Sequence, residues 1–188
     1  MYSIVSLVEC IKNDLQKKID NISIRFKGSE DTGEYIERKP KVYAWTYDDL
    51  NGGYPLHTPS ILVQLISDTN DESADFIIHI CVCNPALQGK EITTQVDGYE
   101  DLYKYSDSEN IDSSNVRSEL YKATVELSEY VLVSLKKLSY DNYSLNSIVL
   151  DTPSPYMDDF PYCQSSISFT AVKSSKQSQI DTKVWNLI

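Results

Sequence analysis

The sequence lacks any run of the roughly 18 to 20 apolar residues that a membrane-spanning helix needs. Hydrophobic residues make up 41% and charged residues 24% of the 188 positions, which is typical of one globular domain with a real core. The N-terminal stretch is apolar, but it has no basic segment and is interrupted by Glu9, Lys12 and Asp14. It is therefore not expected to be a signal peptide.

Basic residues are scarce as well. The 17 Lys and Arg residues stand against 28 Asp and Glu residues, and the formal net charge is -11. Phosphate backbones and anionic membrane surfaces both select basic proteins. The composition thus predicts no specific nucleic-acid binding and no membrane partner.

Motifs of catalysis are missing. The chain has no Gly-x-Ser-x-Gly elbow, and Gly52-Gly53 is not followed by the Lys-Ser/Thr of a phosphate-binding loop. The acidic pairs at 48–49 and 158–159 are typical of solvated loops rather than of a cation site. The sequence predicts a protein that is not an enzyme, with no catalytic residues and no cofactor.

Cysteine and histidine are few, and three of them define the sharpest metal hypothesis. His79, Cys81 and Cys83 alternate along a predicted strand and share one face. Ligands spread along one extended strand converge poorly, which favours simple packing, and Cys10 and Cys163 are typical of free thiols. A small metal-binding protein or enzyme using the three residues remains an alternative.

Apolar periodicity is what the chain does contain. The runs 61–66 and 76–83 flank a polar turn at 67–73 and predict an antiparallel strand pair. Apolar residues at helical spacing predict a helix over 4–19, ending at Asp20 or Asn21. A second stripe predicts a long helix from about 113 to 138.

The remaining segments complete one α+β domain over 1–188. Alternating apolar residues predict further strands, and polar stretches predict loops at 27–40 and 48–55; the strands are expected at 22–26, 42–47, 147–151 and 164–172. The fold class is α+β, an antiparallel β-sheet with two main α-helices packed on one side. Residues 86–112 are expected to form an extended excursion loop, with some strand near 91–96, and 173–188 a C-terminal tail.

Tyrosine is abundant, with 14 copies, many of them in predicted loops or at strand ends. Tyr and Trp are enriched at protein interfaces, where one end of the ring is apolar and the other is wet. The candidate partner-binding residues are Trp45, Tyr47, Tyr54, Tyr99, Tyr103 and Tyr105.

Three sequence stretches and the long helix carry a family resemblance. Residues 41–45 (Lys-Val-Tyr-Ala-Trp), 54–66 (Tyr-Pro-Leu-His-Thr-Pro-Ser-Ile-Leu-Val-Gln-Leu-Ile) and 76–82 (Phe-Ile-Ile-His-Ile-Cys-Val) resemble the middle of small phage tail-completion proteins. A helix like 116–138 follows in that family. The element order is similar to that of the tail terminators of long-tailed phages, and the resemblance covers most of 1–172.

The resemblance implies a structural virion protein. Its family forms a ring, usually a hexamer, that caps the tail tube, stops its polymerisation and offers a docking face to the head or neck. The implied partners are further copies of the chain, the tail tube protein, a sheath protein, and a head or neck connector protein. Caps of phage-tail-like bacteriocins are of the same kind, so the expected location is a virion or tail-like particle assembled in the bacterial cytoplasm.

Two further alternatives stay open. Within structural proteins, the chain fits another neck or head-closure component. Outside them, it fits a ligand-binding or antitoxin-like interaction module, which would be a monomer or dimer with a defined small partner. Oligomeric state separates this interaction module from a ring.

Overall fold

A computed structural model describes residues 3–27, 35–48, 50–51, 53–69, 72–85, 87, 92–96, 99–105, 110–140, 142–153 and 161–174, of which 27, 51, 69, 92–96, 99–105 and 110–115 are described by their backbone only. The helices are α1 (Ile4–Ile19) and α2 (Ser113–Lys136). The strands are β1 (Ile24–Lys27), β2 (Tyr35–Arg38), β3 (Lys41–Ala44), β4 (Leu50–Asn51), β5 (Tyr54–Pro55), β6 (Ser60–Thr69), β7 (Ser73–Cys83), β8 (Ile92–Val96), β9 (Tyr99–Tyr105), β10 (Asn110–Asp112), β11 (Tyr143–Asp151) and β12 (Tyr162–Lys173). The predicted α+β class is confirmed.

A five-stranded sheet in the order β11-β12-β7-β6-β3 forms the centre of the described fold. The predicted strand pair is confirmed as β6 and β7, and β12 pairs with β7 from Tyr162 opposite Cys83 to Val172 opposite Ser73. Neighbouring strands are antiparallel except that β3 runs parallel to β6. Because side chains alternate across a strand, one apolar set from each strand faces a common core.

Both helices pack on the same face of this sheet and complete its core. The predicted stripe of α1 is fully confirmed, since its six apolar members are all buried: Ile4, Leu7, Val8, Ile11, Leu15 and Ile19. The Ser3 side chain accepts a hydrogen bond from the Ser6 backbone N–H at the start of α1, and Asp20 ends the helix. On α2, Leu120, Leu127, Val131 and Leu135 are buried in the same cluster.

Two predicted loops contain short strand pairs. Residues 27–40 include β2, which pairs with β1 and places Ile36 opposite Phe26. Arg25 lies over the Tyr35 ring, 5.2 Å from its centroid. Residues 48–55 include β4 and β5, joined through Gly53, whose φ of 88° suits glycine. Cross-strand pairing outweighs the polar composition in both places.

The prediction that 86–112 is an extended loop is wrong. This segment contains β8, β9 and β10, which form an antiparallel three-stranded sheet in the order β10-β9-β8. The strand expected near 91–96 is confirmed as β8. The acidic composition hid β9, although Tyr has a high strand propensity. Of the predicted tail, β12 includes Lys173, and the residues after 174 lie outside the described part.

Candidate assembly surface

The face of the five-stranded sheet opposite the helices is the candidate surface, here called the open face. It carries Tyr43, Leu62, Gln64, Ile77, His79, Cys81, Cys83, Ser166, Ser168 and Thr170, from β3, β6, β7 and β12. Tyr43, Leu62, Cys81 and Cys83 are buried, Ser168 is exposed, and the other five are partly exposed. Cross-strand register aligns Leu62, His79 and Ser166 in one row. The face therefore combines apolar and polar side chains, and most of them are at least partly covered by their own chain.

Two of the predicted partner-binding tyrosines cover one end of the open face. Tyr54 stacks on Tyr162 with ring centroids 4.1 Å apart and planes 6° apart, over the buried Cys81 and Cys83. Tyr47 meets Tyr43 edge to face at 5.2 Å, and burial raises the pKa of Tyr47 to about 12. These two rings therefore serve the packing of their own chain.

Trp45 is different, because its backbone and ring are fixed while much of its surface stays exposed. It ends β3 with φ at 69°, and Thr46 N–H donates to the Ala44 carbonyl at 2.8 Å across it. Such a three-residue turn with positive φ is rare and strained for a residue other than glycine. The predicted strand at 42–47 is therefore shorter in the structure and ends at Ala44.

Three hydrogen bonds hold Trp45 in this conformation. Its backbone N–H donates to the Val63 carbonyl at 3.0 Å, and its carbonyl accepts from Gln64 Nε2 at 2.9 Å. The indole Nε1 donates to Glu9 Oε1 on α1 at 3.0 Å. The side chain is nevertheless 39% exposed. The ring is thus immobilised and presented to solvent, which is the arrangement of an interface hot spot.

The other three predicted partner-binding residues, Tyr99, Tyr103 and Tyr105, belong to β9. Their side chains lie outside the described part of the structure.

Exposed apolar residues that were not predicted from the sequence include Val5 and Leu56, at 57% and 49% exposure. Val5 lies four residues before Glu9 on α1, the spacing of helix neighbours. The sequence does indicate this exposure, because Val5 is apolar but lies outside the buried stripe of α1.

His79, Cys81 and Cys83, the residues of the metal alternative, follow one another on one face of β7. Cys81 and Cys83 are buried beneath the Tyr54–Tyr162 stack, and His79, two residues before Cys81, is half-buried. Within the part of the chain that the structure describes, no three His, Cys, Asp or Glu side chains are grouped as a metal would require. Burial raises the pKa of Cys83 to about 12, which keeps its thiol protonated.

His79 makes the folding equilibrium sensitive to pH. Burial lowers its pKa from the usual 6.5, so below that pH the folded protein binds fewer protons than the unfolded chain. This contribution to stability should therefore be fully present above about pH 6.5 and be lost as the pH falls below it. We expect the urea midpoint to decline below pH 6.5 and His79→Gln to flatten the decline. An equal decline in His79→Gln would contradict the assignment.

Asp75 provides an internal reference for that measurement. Hydrogen bonds from Thr170 and Ser67, at 2.8 Å and 2.9 Å, lower the pKa of its carboxyl from 3.8. Its contribution is present above pH 3.8 and is lost only as the pH falls below it. The two titrations therefore occupy separate pH intervals.

Comparison with known proteins finds no family model, no curated protein and no solved structure that matches the chain. Neither of the described helices is both long and apolar enough to cross a bilayer.

Proposed function

We propose that this protein is a structural assembly protein of the tail-terminator kind. In this proposal several copies form a ring that caps a tail tube, stops its polymerisation and offers the next component of the particle a docking face. The sequence resemblance at 41–45, 54–66 and 76–82 motivates the family. The α+β sheet with helices on one side is compatible with it, although fold alone does not imply function.

The observation that carries an assembly function is the state of Trp45. A residue other than glycine in the positive-φ region costs roughly 1 to 3 kcal/mol, and such strain is found preferentially at functional sites. Burial of the ring would normally offset this strain, but Trp45 remains 39% exposed. A partner protein that covers the ring supplies the missing burial, at about 25 cal/mol per Å².

The open face supports the same reading. Tyr47 and Tyr54 shield one end of it, while Val149 on the edge strand β11 remains 58% exposed. Edge strands with exposed apolar side chains are sites where further chains associate. Ring formation requires two different complementary patches on each copy, and the exposed Val149 edge together with the anchored Trp45 gives a single copy two candidate patches.

Mass and tube length test the proposal together. We expect the purified protein to form a closed oligomer of about six copies, visible as rings by electron microscopy and measurable by light scattering. Added to polymerising tail-tube subunits, it should shorten the tubes and appear at one end. A protein that stays monomeric at high concentration and leaves tube length unchanged would contradict the proposal.

A further inference from the structure

A groove lies between the β1–β2 hairpin and α2. It encloses about 500 Å³, and its floor is apolar, with Ile24 and Phe26 on one side and Ala123 and Leu127 on the other. Phe26 and Leu127 are buried in the core, so the floor is rigid. A cleft of this size and lining suits a large apolar side chain.

Charged residues form the rim of the groove. Arg25 and Lys122 provide positive charge there, and Glu119 and Glu126 provide negative charge. Arg25 is also held over the Tyr35 ring at the mouth. An occupant that fits this rim carries an apolar ring flanked by one acidic and one basic group.

The surroundings of Trp45 match that description. Glu9 accepts the indole hydrogen bond and therefore lies at the edge of the ring. Lys12 lies three residues further along α1, a spacing that makes the two side chains neighbours on a helix. Glu9 can face Arg25 and Lys122, while Lys12 can face Glu119 and Glu126.

We propose that Trp45 of one copy inserts into this groove on a second copy, an inference that rests on the proposed assembly function. Insertion within one copy is ruled out by the three hydrogen bonds that fix Trp45 beside Glu9. From Glu9 to Ile19, just before the groove hairpin, α1 extends by about 15 Å at 1.5 Å per residue. The Trp45 ring, here called the knob, and the groove are therefore separate patches. The contact between copies is heterologous, as a ring requires.

Two variants each remove one half of the contact. Trp45→Asn deletes the ring and keeps a residue that tolerates positive φ. Ala123→Trp fills the groove from its own helix. For each variant we expect the concentration needed for assembly to rise on the order of 30-fold or more, as for a hot-spot residue. Val133→Gln, at an exposed apolar position on α2, is the matched control and should assemble like the unmodified protein.

Mixing the two variants gives the decisive result. Trp45→Asn retains an open groove and Ala123→Trp retains the knob, so together they should form a 1:1 dimer that cannot extend. Analytical ultracentrifugation of each variant alone and of the mixture measures this. Rings that persist in either variant at the concentration at which the unmodified protein just assembles, or monomers that do not pair on mixing, would overturn the inference while leaving the proposed function in place. An unmodified protein that is monomeric would instead overturn both.

A charge swap keeps the inference testable if Trp45→Asn does not fold, which circular dichroism would reveal. Lys12→Glu should weaken assembly by about tenfold, and Glu126→Lys in the same chain should restore much of it by exchanging the two charges across the contact. Glu9 and its hydrogen bond to Trp45 stay unchanged, so failure of the second substitution to restore assembly would contradict the pairing of Lys12 with the groove rim.

Discussion

Replacing Phe76 with Ala should destabilise the protein by about 3 to 5 kcal/mol, the usual cost of deleting a fully buried aromatic ring. Phe76 lies near the start of β7 and is 0% exposed. Its ring stacks on Phe169 of β12 with centroids 5.2 Å apart and planes 5° apart, and the two residues are direct cross-strand partners. The loss is a large part of the roughly 5 to 15 kcal/mol that stabilises a typical domain. Urea unfolding of the two proteins measures it.

The control for this prediction lies one strand away. Ile66 is 60% exposed at the bulge in β6, and Ile66→Ala should change stability by no more than about 0.5 kcal/mol. Phe169→Ala completes a double-mutant cycle, in which we expect a coupling of about 0.5 to 1.5 kcal/mol for the stacked pair. A loss below about 1.5 kcal/mol for Phe76→Ala would mean that the ring is not packed between β6, β7 and β12 as described.

The elements that the sequence predicts best are those decided by local pattern. α1 needs only its six-residue apolar stripe and Asp20 at its end, and both are visible in order along the chain. β6 and β7 likewise follow from two apolar runs around a polar turn. In β9, by contrast, the alternation is broken by Glu100 and Asp101, and pairing with β8 and β10 decides the strand. Tertiary pairing then overrides local composition.

The sequence predicts only part of the candidate surface. Residue type and position indicate Trp45, Tyr47 and Tyr54 equally, because all three are aromatic and lie near strand ends. What separates them is contact with distant residues: Tyr54 stacks on Tyr162, whereas Trp45 is held by Glu9 and Gln64.

The groove has no sequence signal of its own. Its walls, around Ile24 and Leu127, are brought together only by folding. No local period or motif in the sequence indicates that these residues become neighbours, so only the folded structure shows the groove.

A buried hydroxyl chain between α2 and β12 should respond unequally to two similar substitutions. Thr124 Oγ1 donates to the Leu120 carbonyl at 2.7 Å, and Ser128 Oγ donates to the Thr124 carbonyl at 2.6 Å. Ser128 and Ser165 are also hydrogen-bonded through their hydroxyls. Since the single hydroxyl proton of Ser128 goes to the Thr124 carbonyl, Ser165 must be the donor to Ser128.

Ser128→Ala should therefore cost about 1 to 3 kcal/mol, because it leaves the Ser165 hydroxyl buried without its acceptor. Ser165→Ala should cost only about 0.5 to 1.5 kcal/mol, since Ser128 keeps its bond to the Thr124 carbonyl. The double variant should be less destabilised than the sum of the two, because both buried hydroxyls are removed together. Exposed Ser168, on the same strand, is the matched control, and Ser168→Ala should stay within about 0.5 kcal/mol. Equal or reversed costs in urea unfolding would mean that the Ser165 hydroxyl is not the donor to Ser128. These hydrogen bonds also bear on assembly, because they hold α2 against the sheet and α2 forms one wall of the groove.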